Sequence, residues 1–360
     1  MKCIYCQRDS KKSERIDGKC PGCQKSFALE PTGGTPTDAA FKAAIDRVSG
    51  QGAVRFTPDN LYFELARTKF GGRANLGCAV VALVIAVVVS APALGLWSVI
   101  GGAAVAVGLF LYHRGQRRLV QLDRLTFETW LGLWKGTHGG PAGLIQPRAA
   151  LPPADSNAAM LSELEQYSFD RAVICDRRET VDLLLANSFH FENNCAVLSF
   201  QGYPESVFDI VRRMLKRNPK LHIFALHDAT LEGCAMAHTL AHSPEWFAGQ
   251  GPIFDVGLRP AHAPAFEGLW QEAAPADASS PQPEGVTAEE YAWLRRYRLS
   301  LAAVRPEQVI KRLFRAISER KTDSVALTTT GGDSGPVSHV DTVIFSTDAT
   351  SSDGGGDNFG

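Results

Sequence analysis

The chain has almost no net charge: 37 lysines and arginines face 38 aspartates and glutamates, a formal charge of −1 at pH 7. A chain so balanced is not, as a whole, a polyanion binder. It also lacks an apolar leader. The first 30 residues are polar, without an apolar run ahead of a small-residue cleavage site, so no secretory leader is expected. A disulfide framework is missing too. Of the 8 cysteines, Cys3, Cys6, Cys20 and Cys23 have a metal-like spacing and Cys78 sits in an apolar stretch. Cys175, Cys195 and Cys234 lie in or beside apolar runs, where a free thiol packs as a small hydrophobe. This usage fits a reducing, cytoplasmic setting. The longest absence is of charge itself: residues 74–112 contain no Asp, Glu, Lys or Arg.

A bilayer core asks for about 20 apolar residues per spanning helix. The stretch 74–112, broken by Pro92 and Gly95, therefore predicts a two-helix transmembrane hairpin. Lys69 and Arg73 precede it, and Arg114, Arg117 and Arg118 follow it. Basic flanks on both sides predict a two-pass protein of the cell membrane, with both termini cytoplasmic and the lipid bilayer as a partner. A helical hairpin buried in a soluble domain is the alternative, though such helices usually keep a polar stripe. Neither span holds an acid, a histidine or a lysine, so an anchor is expected rather than a transport pathway.

The opening segment places Cys3-x2-Cys6 ahead of Cys20-x2-Cys23. Two tight turns each offering two thiolates supply the four soft ligands of a tetrahedral zinc. Pro21 and Gly22 shape the second turn. With so little apolar content the segment needs its metal to fold. Residues 1–27 resemble the zinc-ribbon family, which implies a structural zinc with no open coordination position. A redox dithiol is the alternative. Lys11, Lys12, Arg15, Lys19 and Lys25 give the ribbon a positive face, read first as solvated or as meeting a cytoplasmic protein partner, and second as a nucleic-acid contact. Residues 31–73 read as linker and short helices. One helix spans Asp38–Val48, with Phe41, Ile45 and Val48 on one side; a second enters through Pro58 with Thr57 as cap.

Residues 113–156 read as a juxtamembrane helix and linker. Leu119, Leu122, Leu125, Trp130, Leu133 and Trp134 keep helical periodicity, suiting a headgroup surface or self-association into a homo-oligomer. From residue 157 the pattern alternates between strands and helices. Arg171–Cys175, 195–200, 221–226 and 253–258 read as strands. Residues 179–186, 204–217 and 231–240 read as helices. This alternation argues for a parallel sheet covered by helices, in which ligands collect at the carboxyl ends of strands. Asp176, Gly202 and Asp228 stand at those ends.

Three motifs follow in order: Val173-Ile174-Cys175-Asp176-Arg177; Leu198-Ser199-Phe200-Gln201-Gly202-Tyr203-Pro204; and Phe224-Ala225-Leu226-His227-Asp228-Ala229-Thr230-Leu231-Glu232-Gly233. Over about residues 170–262 they resemble the Toprim domain, most closely the version in the topoisomerase VI A subunit and its meiotic double-strand-break relatives. Val256-Gly257-Leu258-Arg259-Pro260 is similar to a later strand of that family. The resemblance implies carboxylates converging on Mg²⁺ for phosphoryl-transfer chemistry. It makes Asp176 and Asp228 the candidate catalytic residues. The chain departs from the pattern, with Asp176 in place of a glutamate and Thr230 in place of a second aspartate. Glu179 and Glu232 are the acids nearest in sequence that would compensate. The simpler reading is that Asp176 and Asp228 cap the helices that follow.

His227 reads as a structural histidine. His238 and His242 share a helix face at a spacing that can hold a metal, without an evident third ligand. Arg212, Arg213, Lys216 and Arg217 read as a solvated helix end favourably placed against its dipole. Acids slightly outnumber bases across this part, unlike a duplex-binding domain. Residues 274–285 read as a linker and 287–318 as helical, with a basic face of Arg295, Arg296, Arg298, Lys311, Arg312 and Arg315. Residues 326–360 are compositionally a disordered tail.

The expected fold is thus a multidomain membrane protein: zinc ribbon (1–30), transmembrane hairpin (74–112) and parallel α/β Toprim-like domain (157–325). Its expected role is cytoplasmic-facing binding or scaffolding. A Mg²⁺-dependent nuclease or phosphoryl transferase is the alternative.

Overall fold

A computed structural model of the chain describes residues 1–31, 34–70, 119–146, 169–205 and 207–327. At its centre lies a four-stranded sheet of order β2-β1-β3-β4: β1 (Arg171–Cys175), β2 (Cys195–Ser199), β3 (His222–Leu226) and β4 (Ile253–Asp255). Every pairing is parallel, with Val173 opposite both Val197 and Phe224. Side chains alternate between faces along a strand, and here both faces are dry. Val173, Cys175, Val197, Phe224 and Leu226 point into one core layer. Ala172, Ile174, Leu198, Ile223 and Ala225 point into the other. Burial on both faces explains why the strands read as continuous apolar runs.

Crossover helices cover the sheet. The helix Arg178–Ala186 sends Val181 and Leu184 into the first layer. The helix Phe208–Arg217 sends Val211 and Leu215 into the second. Leu231–His242 contributes to both, through Leu231 and Cys234 on one side and Met236 and Leu240 on the other. The 204–217 helix of the sequence reading begins only at Phe208, because residues 199–203 close a turn through Ser199 N to Tyr203 O. The fourth strand ends at Asp255, although Val256 N and Leu258 N still donate to Ala225 O and His227 O.

Two parts of the sequence reading need correction. The expected membrane hairpin is not supported: among the described residues no helix is long and apolar enough to cross a membrane. Residues 74–112 lie outside the described residues. An uncharged composition becomes a span only through a continuous apolar helix of about 20 residues. The two-pass topology, the bilayer partner and the membrane location rested on that stretch alone and fall with it. The tail beyond Leu327 and the linker residues 147–156 also lie outside the described residues.

The second concerns packing: the short helices expected in 31–73 form, with Phe41, Ile45 and Val48 buried as expected, but they and the helix of 113–156 join the sheet rather than a linker or a membrane surface. The helices α1 (Asp38–Val48), α2 (Pro58–Phe70) and α3 (Arg124–His138) pack into the same core as the sheet. Phe41 stacks on Trp134 with ring centroids 4.8 Å apart. Trp130 and Trp134 are buried rather than displayed towards headgroups. The Tyr62 hydroxyl donates to Leu122 O at 2.6 Å. Buried Glu64 ties the group together, meeting Arg47 at 2.7 Å, Arg67 at 3.2 Å and Arg305 at 3.0 Å. Burial alone would raise its pKa, but hydrogen bonds from Arg305 and Arg47 more than offset that and lower it.

Candidate functional site

The first candidate is the ribbon. Cys3 N donates to Arg8 O and Cys20 N to Lys25 O, so each Cys-x-x-Cys segment closes a matching knuckle. Gln7 and Gln24 take the same place after each knuckle, both left-handed at φ 60° and 59°. Gly22 is pressed close: a Cβ there would meet the Arg8 side chain at 3.0 Å and Cys6 Sγ at 3.4 Å. The knuckles bring Cys3, Cys6, Cys20 and Cys23 together, with all four sulfurs within 4.8 Å of one another. Backbone N–H groups of Cys23 and then Gly22 pull the Cys20 thiol down to about 6. Four sulfurs this close cannot all ionise without a cation among them, and this donor set can hold a metal ion.

The ribbon is docked by a polar chain that the sequence reading did not foresee. Asp38, the first residue of α1, accepts from Leu29 N at 2.8 Å and Ala28 N at 3.0 Å. It also accepts from His138 Nε2 at 2.7 Å. With Nε2 donating, His138 Nδ1 is left to accept from the Tyr5 hydroxyl at 3.1 Å in the neutral ring. Tyr5 lies inside the first knuckle, so its position depends on the sulfurs around it.

The second candidate lies at the carboxyl ends of β1 and β3, the central strands from which the chain departs to opposite sides. Asp176 and Asp228 do meet there, but neither caps the helix after it. Asp176 Oδ2 accepts from Asp228 N at 2.8 Å. Asp228 Oδ1 accepts from Leu301 N at 2.6 Å and lies 3.4 Å from the Ser300 hydroxyl. Its Oδ2 lies 2.5 Å from Arg177 Nε. The cap of the following helix is Thr230, whose hydroxyl accepts from Gly233 N at 3.0 Å. Thr230 is thus the helix cap at this strand end.

Burial pushes the Asp176 carboxyl up, neighbouring Asp228 pushes it further, and the result is about 7. Burial raises Asp228 as well, against the pull of Arg177. Asp176 Oδ1 is buried and makes no hydrogen bond to the described residues. A narrow cleft opens beside Asp228, lined by Asp59 and Asn60 of α2, by Arg177 and Glu179, and by Ser300 and Leu301. Glu179 therefore lines the cleft, and Asp59 reaches it from α2, the helix expected to enter through Pro58 with Thr57 as cap.

Behind these acids lies a buried ion network. His227 Nε2 donates to Asp255 Oδ1 at 2.9 Å, and Nδ1 to Asp228 O at 2.8 Å. Arg259 grips Asp255 Oδ2 through Nε at 2.8 Å and Nη2 at 2.5 Å, and reaches Glu290 at 3.2 Å. Burial would raise Asp255, but His227 and Arg259 lower it well below the usual carboxylate range.

The four cysteines form a metal-ligand cluster; among the described residues no set of carboxylates and histidines does so. Mg²⁺ at Asp176 and Asp228 is thus unsupported, and backbone N–H groups and a guanidinium already engage three of their four oxygens, all but Asp176 Oδ1. His238 and His242 stack at 3.9 Å, and His242 Nδ1 donates to His238 O at 2.9 Å. Glu284 lies 3.7 Å from His238. Comparison with family models, curated proteins and solved structures finds no match to this chain.

Proposed function

We propose that the chain is a non-enzymatic binding or scaffold protein: a structural zinc ribbon docked on a Toprim-like α/β body whose acidic motif has become structural. The observation that carries this reading is the fate of the two strand-end acids. Asp176 is spent on Asp228 N, and Asp228 on Leu301 N and Arg177. A catalytic Mg²⁺ site needs carboxylate oxygens free to take hard-cation geometry. Here those oxygens instead tie β1, β3 and the 300–301 segment together.

Zinc is the metal that suits four thiolates, with no position left for a substrate. The ribbon presents exposed Tyr5 and Ile16, and the near-neutral charge favours a protein partner over nucleic acid. The test is an assay of the zinc-loaded full chain with Mg²⁺ and with Mn²⁺ on duplex DNA, single-stranded DNA and RNA. The reading expects no cleavage. Metal-dependent cleavage that disappears in Asp228→Asn would overturn it.

A further inference from the structure

We propose that Arg177 is a built-in counter-cation: its guanidinium holds the place that a divalent ion would take among the strand-end carboxylates, and its removal opens a cation site. The proposal rests on the reading of those acids as structural. Its first support is position. Arg177 follows Asp176 directly and places Nε 2.5 Å from Asp228 Oδ2, inside the cleft. The second is the charge around it. Asp228 pairs with this guanidinium, and the carboxylates of Glu179 and Asp59 belong to residues lining the same cleft. Asp59 has a second partner in Arg124 at 2.6 Å, but Arg124 is a helix α3 residue outside the cleft lining.

The third support is the oxygens that remain. Asp228 is 1% exposed, and its Oδ2 lacks an aligned hydrogen bond even though it is paired with Arg177 by charge. Asp176 Oδ1 is likewise buried without a hydrogen bond. Taking Arg177 away would leave a buried carboxylate without its cation, which is strongly unfavourable. Asp228 Oδ2 would then be left to the cleft that Glu179 and Asp59 also line, with Asp176 held against Asp228 N beside it. A hard divalent cation is the ligand class that oxygen donors of this kind recruit. A guanidinium is planar and monovalent, so it balances the Asp228 charge without offering Lewis-acid chemistry.

The experiment is a Mn²⁺ titration of the zinc-loaded full chain, followed by the paramagnetic resonance of free Mn²⁺. It compares wild type, Asp228→Asn, Arg177→Gln, Arg177→Lys and Arg177→Gln/Asp228→Asn. The proposal expects no Asp228-dependent site in wild type. It expects Arg177→Gln to bind Mn²⁺ at least tenfold more tightly, and the double variant to lose that gain. Arg177→Lys keeps the charge and should bind no better than wild type. If Arg177→Gln melts early in EDTA, its melting temperature should recover with Mg²⁺ or Mn²⁺ while wild type does not respond. A folded Arg177→Gln with no gain, or one that neither ion stabilises, overturns the proposal. So does a wild-type site lost in Asp228→Asn. Cleavage by the wild-type chain would instead overturn the scaffold reading, so the two failures are distinguishable.

Discussion

His227 has acceptors at both ring nitrogens, the Asp228 carbonyl and the Asp255 carboxylate. A carbonyl cannot donate, so with Asp255 ionised the buried ring carries both protons. Burial opposes that charge, but Asp255 outweighs it and raises the His227 pKa. A histidine raised above its unfolded value of about 6.5 gives stability that is complete below that pH and is lost as pH rises through the folded value. Asp255, lowered, works from the acid side: its stability is present above about pH 4 and is lost as pH falls towards its depressed value. Asp176 has the opposite sign to Asp255. Raised to about 7, it stays protonated in the fold while the unfolded chain ionises, so it removes stability between about pH 4 and 7. Both His227 and Asp176 therefore predict a melting temperature that declines from mildly acid to alkaline pH. Calorimetric melts should show Asp176→Asn flattening the decline below pH 7 and melting above wild type at pH 8. His227→Gln should flatten the part above about pH 6.5. A pH profile unchanged in both variants would contradict these assignments.

At the scale of elements, the parallel sheet was legible because its strands are buried on both faces, and uninterrupted apolar runs such as Ala172–Val173–Ile174–Cys175 show that directly. The knuckles were legible because metal spacing is local. The partners of the acids were not. Asp228 meets Leu301 at a separation of 73 residues, and Asp59 reaches the cleft from α2. Nothing near either residue in sequence signals the contact. Trp130 and Trp134 misled for a related reason: aromatic periodicity looks the same whether the helix lies on a membrane or on Phe41. Phe41→Ala should cost about 3–5 kcal/mol in denaturant unfolding, since it empties a fully buried site shared by α1 and α3. Gly257 shows how tightly the strand ends are packed. A Cβ there would lie 2.4 Å from His227 Cδ2, so Gly257→Ala should destabilise the fold by about 1–3 kcal/mol.

Across the whole molecule, one core joins the α1–α3 helices to the sheet, and the ribbon sits on it through Tyr5, His138 and Asp38. A metal held by the four cysteines would thus have two tasks: folding the knuckles and presenting Tyr5 to His138. Cys20→Ser should lose the metal and expose 1–30 to limited proteolysis while the sheet remains protected in hydrogen exchange, because few ribbon side chains enter the main core. Among the described residues the four cysteines are the one cluster placed to hold a metal ion, and the strand-end acids are held by protein groups. Native mass spectrometry of the full chain in millimolar Mn²⁺ tests this most directly. It should show one zinc per chain, lost in Cys20→Ser, and no bound manganese. A chain without zinc, or one manganese per chain that vanishes in Asp228→Asn, would contradict it.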